Sequence, residues 1–415
     1  MPERTYADRA HSAARWSAIA IGFSVPIATA LDNVLLLLVL LFWLLGGNYR
    51  RKLAQIKENP VAMAALLLFS LLIVGGFYGY GDGNDALNYL GKYVDILFIA
   101  LFIALFQEQQ ARNRAITAFM VAMGATLFLS YVIKTGIFPQ GGLLQGLPSD
   151  PFVFKLHITQ NLFMAFFAYA LAVNARHAET SRQRITFGLA SGLAAYNVLF
   201  MVQGRSGYLA LAALFVYFCF DWLRWKGLAI ALATGLVIVA ASYAAHSGLQ
   251  QRMNLVATEI AAWQPGQGSE TSPSAVRMDY YTNSLAIIRD HPVFGVGTGG
   301  FEKAYAEKIH NTAMAPSNNP HNQYLLIAAQ LGVVGLTVLL CLFLLEWSMA
   351  RLLPLPRDRA LARGALLTIA VGSLFNSLLL DHSEGLFFAW ISGVLFAGLP
   401  RRKGGDNSKV LAMDR

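Results

Sequence analysis

Residues 317–335 read SNNPHNQYLLIAAQLGVVG, a polar knot of asparagine, proline and histidine that runs directly into a long apolar stretch. A hydrocarbon core of about 30 Å is crossed by about 20 apolar residues in helical form, so the run after His321 reads as a membrane helix. The same kind of block recurs along the chain. Twelve can be counted, centred near Ile21, Val39, Leu68, Leu101, Met123, Ala168, Leu193, Leu214, Leu236, Leu336, Leu367 and Leu395. The 415 residues are 56% hydrophobic and 13% charged, with the apolar residues in blocks rather than at amphipathic spacing. The fold class is therefore an all-α polytopic membrane protein with about 12 transmembrane helices.

Orientation follows from Lys and Arg, which cytoplasmic loops retain. With both termini cytoplasmic, the cytoplasmic segments hold 23 of the 32 basic residues. The net charge of +9 is then mostly a topology signal, and no nucleic-acid partner is expected. On this reading 1–247 carries helices 1–9, 248–320 an outward loop, 321–400 helices 10–12, and 401–415 a cytoplasmic tail. The long loop holds LQQRMNLVATEIAAW and SAVRMDYYTNSLAIIRD, both with apolar residues at three-to-four spacing, which predicts a helical periplasmic subdomain between helices 9 and 10.

Further along, RDHPVFGVGTGGFEKAYAEKIH places a proline at the end of a helix, glycines in a loop, and a new helix from about Phe301. Gly295, Gly297 and Gly300 satisfy the letter of G-x-G-x-x-G, but a dinucleotide fingerprint needs a preceding strand in a parallel sheet, and none is predicted here. Two readings stay open: a tight turn packed on the membrane domain, or a loop whose N–H groups face a phosphate.

Charged residues at a membrane boundary cost about 2.5–3.5 kcal/mol each on insertion scales, and so point to function or anchoring. Arg205 interrupts two apolar runs in VLFMVQGRSGYLALA, on the side that the positive-inside bias disfavours. It either anchors the turn or binds an anion. Arg277 lies four residues before Tyr281 on the amphipathic loop helix. For His321, Asn318 or Asn319 as cap and Pro320 in the first turn would put the imidazole at the positive helix end, where a neutral ring can accept a proton. In LLLDHSEGLFF, Asp381 can orient a base or cap the last helix. Lys92 and Asp95 fall within one turn and suggest a local ion pair, and Lys155 stands at the mouth of helix six as a candidate anion contact. No D-x-D, H-E-x-x-H or carboxylate pair at ligand spacing occurs in the outward segments, so neither metal nor other cofactor is expected.

Arg205, then RMDYYTNSLAIIRDHPVFGVGTGGF, then PHNQYLLIAAQLGVVG, in that order around one large outward loop, resemble the bacterial O-antigen ligase and polymerase superfamily. Gln330 departs from the pattern, standing where members often carry glutamate. The resemblance implies a GT-C-like membrane fold in the bacterial inner membrane with a periplasmic active site. It implies transfer of a glycan from an undecaprenyl diphosphate carrier to a sugar of the lipid A core. In that scheme Arg205 and Arg277 bind the diphosphate and His321 is the general base, with Asn322, Lys155, Asp381, Gly297 and Gly300 as supporting candidates. The partners are then the lipid-linked donor, the lipid A core acceptor and membrane lipids. An O-antigen polymerase and a protein O-oligosaccharyltransferase are the rival readings within the superfamily, and a lipid-linked glycan flippase is the rival outside it.

Overall fold

Inside a bilayer no water reaches backbone N–H and C=O groups, so a chain of this composition must close its hydrogen bonds within helices. The computed structural model describes residues 6–137, 144–244, 248–264 and 272–400, and among these no strand forms, an isolated bridge joining Leu147 to Asp150. The described helices are α1 (Tyr6–Ser24), α2 (Thr29–Leu45), α3 (Tyr49–Lys57), α4 (Pro60–Gly75), α5 (Gly83–Tyr93), α6 (Asp95–Leu105), α7 (Gln109–Lys134) and α8 (His157–Arg176). They continue with α9 (Ser181–Tyr196), a π turn (Asn197–Met201), α10 (Arg205–Ala244), α11 (Gly248–Ala261), α12 (Pro273–Asp290), α13 (Phe301–Lys308), α14 (Gln323–Ala350), α15 (Pro356–Gly372) and α16 (His382–Phe396). The tail 401–415 lies outside the described residues.

Among the described residues, five helical stretches are long and apolar enough to cross a membrane, or six when α2 and α3, bent by 118°, are taken as one span. The centre of every apolar block falls in a helix, although Leu214 and Leu236 share α10. That helix is broken at Arg224 (φ 53°, ψ −132°). A Cβ on Gly227 would stand 1.8 Å from the Cys219 carbonyl oxygen, so the chain doubles back sharply there rather than running on straight. The break falls within DWLRWK, whose Arg224 and Lys226 interrupt the apolar run. The core is aromatic where α7, α8 and α16 meet: Phe163 and Phe387 lie 4.9 Å apart between ring centroids, Phe119 and Phe387 5.3 Å. Trp390 donates its indole N–H to the Ala18 carbonyl at 2.9 Å, tying α1 to α16.

The most informative backbone feature is the break in α14 at Gly332 (φ 63°, ψ −159°). A helix break leaves carbonyls and amides without partners, which inside a membrane costs several kcal/mol per group unless something else pairs with them. The glycine loop does. Val296 N–H donates to Ala329 O and Gly297 N–H to Gln330 O, both at 2.8 Å, and beyond the break Val333 N–H donates to Pro292 O at 2.8 Å. Thr298 N–H donates to Gly75 O at 2.9 Å, and Gly299 N–H to the Gln330 side-chain oxygen at 2.8 Å. Gly300 N–H turns back to Gly297 O at 3.0 Å. These amides are all spent on the fold, so the open alternative resolves toward packing: Gly297 and Gly300 belong to a structural loop and present no phosphate cradle. Gln330 gains its role from the same contact.

One prediction arises here. Gly297 has φ +83°, and a Cβ there would meet the Tyr78 carbonyl oxygen at 1.9 Å. Gly297→Ala is expected to destabilise the protein by about 3 kcal/mol or more, since a left-handed backbone and a main-chain overlap add. Thermal unfolding of purified protein in detergent reads this. Unchanged stability with weakened binding of an anionic lipid would restore the phosphate-loop reading.

Candidate functional site

Arg205 opens α10 immediately after a turn that α8 clamps. Asn161 of α8 donates its amide N–H to the Gly204 carbonyl at 2.8 Å, and Gln203 N–H donates to Asp150 at 2.8 Å. The fixed turn aims the half-exposed Arg205 guanidinium at the start of α12, where its Nη1 donates to Ser274 Oγ at 2.9 Å. Glu259 of α11 completes the contact, with its Oε2 3.7 Å from the same Nη1. This oxygen also accepts the Ser274 backbone N–H at 3.2 Å. Glu259 was invisible to motif reading; the only available signal was that it is the sole acidic residue in LQQRMNLVATEIAAW.

Arg277 is one turn further along α12. It is half-buried, and among the described residues no carboxylate pairs with it. Burial draws its guanidinium below the ordinary value; Tyr281 opposes this and the like charge of Arg205 adds to it, which places the two arginines within electrostatic reach of each other. Such a group is uncommon, because an unpaired buried cation forfeits hydration without compensation.

The third residue, His321, is positioned differently from the sequence expectation. The structure starts α14 at Gln323 and caps it with Asn322, whose Oδ1 accepts from Tyr324 N–H and Leu325 N–H at 3.0 Å each. Asn319 cannot cap because its Oδ1 is occupied, accepting His321 N–H at 2.9 Å and Ser377 Oγ–H at 2.6 Å. His321 therefore lies outside the first turn, with a left-handed backbone at φ 53°. A bulky residue in that region carries about 1–3 kcal/mol of strain, and such strain gathers at functional sites. Its ring stacks on Tyr280 of α12 at 5.8 Å between centroids. Tyr281 donates to Leu374 O at 3.1 Å, and Asn322 donates to the same oxygen at 2.9 Å, so α12 and α14 are both pinned to the α15–α16 connection. The imidazole stays below its ordinary pKa of 6.5, first through burial and then through the nearby positive charge of Arg277. The causes of this depression are burial and an arginine, since the ring stands outside the first turn of α14.

Two supporting candidates fall elsewhere. Lys155 is buried in a separate polar cluster, donating to Thr29 Oγ1 at 2.6 Å and Ser383 Oγ at 2.9 Å, with Asp32 3.7 Å away, so its charge is already matched. Asp381 occupies the cap position of α16 without a side-chain cap bond and is exposed. The local pair of Lys92 with Asp95 does not form. Asp95 is buried and faces His382, with 2.9 Å between its Oδ2 and the ring Nδ1, while Lys92 is exposed over the Tyr89 ring. Among the described residues no three His, Cys, Asp or Glu side chains converge as metal ligands.

Arg205, Glu259, Arg277 and His321 all fall within one matched segment: residues 189–340 fit the family model described as O-Antigen ligase. This segment is similar to the O-antigen ligase family. The match covers 152 of the 415 residues, and the apolar helices around it are those of a membrane protein. An uncharacterized protein of Haemophilus influenzae is 24% identical over 204 residues, which are 47% of this chain and 51% of the relative. The chain thus spans about half the length of that curated relative. Lys155 and Asp381 lie outside the family segment.

Proposed function

We propose that the protein is an O-antigen ligase, which moves a glycan from undecaprenyl diphosphate to a sugar hydroxyl of the lipid A core on the periplasmic face of the bacterial inner membrane. The observation that carries this reading is the half-buried Arg277, without a carboxylate among the described residues and within electrostatic reach of both Arg205 and a neutral His321. An unmatched guanidinium in a site of low dielectric is suited to an anion, and a diphosphate offers the planar oxygen pairs that guanidinium binds bidentately. Transfer needs little more. The acceptor hydroxyl loses its proton to the His321 ring as its oxygen bonds to the anomeric carbon. The bond from that carbon to the diphosphate oxygen breaks on the opposite face, so configuration inverts. The charge gathering on the leaving diphosphate falls on Arg277 and Arg205, and undecaprenyl diphosphate departs with the electron pair. In this scheme fixed guanidiniums take the place of a metal.

The membrane arrangement that goes with it is twelve spans with both termini cytoplasmic. The helical loop 248–320 is then periplasmic, between membrane segments 1–247 and 321–400. Supporting this are the fold-back of α10 at Arg224, which adds one crossing, and the 23 of 32 basic residues that fall in the segments this topology makes cytoplasmic.

The test is direct. Purified protein given lipid-linked glycan and lipid A core is expected to form the glycosidic product in excess chelator. Product with glycan chains as acceptor, but none with lipid A core, would make it a polymerase. Glycan attached to serine-containing peptide would make it a protein O-oligosaccharyltransferase. Movement of the lipid across vesicles without any glycosidic product would overturn the enzyme reading.

A further inference from the structure

Resting on the ligase reading, the geometry points to Glu259 as the residue that releases the spent diphosphate from Arg205. The argument begins with charge. A donor diphosphate is a diester, and cleavage of the sugar–oxygen bond leaves a monoester with one further ionisable oxygen, so two free guanidiniums would hold product more tightly than substrate. A site built only from fixed cations would stabilise the developing charge and then retain it. Turnover requires a competitor for one arginine.

Glu259 is placed to be that competitor. Its Oε2 lies 3.7 Å from Arg205 Nη1, and its side chain is only 10% exposed against 35% for the arginine. The Ser274 N–H holds the same oxygen at 3.2 Å, so the carboxylate is fixed from α12 rather than swinging from the surface. Ser274 Oγ meanwhile accepts from Arg205 at 2.9 Å, keeping the guanidinium within range when the carboxylate is displaced. Arg277 has no equivalent among the described residues, which makes the two arginines unlike: Arg277 is always available to the anion, and Arg205 is shared between anion and Glu259. Glu259 touches no reacting atom in this scheme. It is a positioning residue that acts through Arg205.

The experiment uses the full-length protein in detergent, with undecaprenyl diphosphate as the added product. Glu259→Gln keeps an oxygen for the Ser274 N–H and removes the charge. It is expected to lower the inhibition constant for undecaprenyl diphosphate about fivefold, equivalent to about 1 kcal/mol for a partly exposed ion pair, and to lower KM and kcat together. In an Arg205→Ala background the same substitution should change neither constant. Should Glu259→Gln not fold, Glu259→Asp draws the carboxylate back from Arg205 and is expected to shift inhibition in the same direction by less. Unchanged product inhibition in a folded Glu259→Gln protein, or the same shift with Arg205 absent, would overturn the proposal. Either result would leave the ligase reading standing, which falls only if the wild-type protein makes no glycosidic product.

Discussion

Arg277→Met should lower the transfer rate about a thousandfold, the loss typical of removing a fixed donor from developing charge, while leaving the protein at least as resistant to heat. The two halves of this expectation have one cause. Arg277 is half-buried with no carboxylate among the described residues and with Arg205 repelling it, so its charge is held at some cost to the fold. Replacing it by an apolar side chain of similar length removes that cost. A group that weakens the fold and is required for turnover is what a binding function predicts, and a structural arginine would show the reverse. Arg277→Lys should recover only part of the rate, because an ammonium cannot engage a diphosphate through two parallel N–H groups. Rates measured under saturating acceptor, beside thermal unfolding in the same detergent, decide the matter. Wild-type turnover in the methionine variant would remove Arg277 from the site, and a steep loss of stability would reassign it to the scaffold.

Much of this arrangement was legible in the residues, and the parts that were not share a reason. Apolar blocks, the polar turn at DWLRWK and the loop helices depend on local composition, and they stand where composition puts them. Arg205 and His321 stood out because each breaks a local rule, whereas Arg277 gained weight only from its neighbours in the resemblance. What composition cannot show is pairing across the fold. Lys155 and Asp32 are 123 positions apart, and nothing in either neighbourhood announces the other. Asp95 looked committed to Lys92, yet it pairs with His382, 287 positions away. The glycine loop is the sharpest instance. Its spacing suits a phosphate, yet its amides close the break in α14, and the acceptors are carbonyls that only a left-handed Gly332 exposes. Gln330 follows the same logic, since a carbonyl oxygen on its side chain serves Gly299 N–H as a carboxylate oxygen would. Where the resemblance led to an expected glutamate, this side chain still supplies the acceptor that Gly299 N–H uses.

His321 carries the last prediction, in which protonation can be read separately from catalysis. A base must be neutral to accept a proton, and burial together with Arg277 keeps this ring below its ordinary pKa of 6.5. As pH falls through 6.5 the ring is expected to stay neutral, so transfer should hold there and decline only further into acid. The same sign applies to stability: the unfolded chain takes up this proton from about 6.5 downward while the folded ring resists it, so the contribution is fully present above 6.5 and is lost as pH falls toward the depressed value. Acylation of the ring by diethyl pyrocarbonate, followed by mass spectrometry across pH, reports the neutral fraction without any turnover. In Arg277→Gln the second cause is gone, and the acid limb of the labelling curve should move upward. A curve that does not move would mean the arginine's charge fails to reach the ring. Removing the base should cost about 10²–10⁴ in rate, and His321→Gly makes the cleaner variant. Glycine accepts φ 53° without strain, so the protein should unfold no sooner than wild type while transfer is lost. If His321→Gly instead turned over normally, the left-handed histidine at the mouth of α14 would be a feature of the chain's path alone, and the proton would have to go elsewhere.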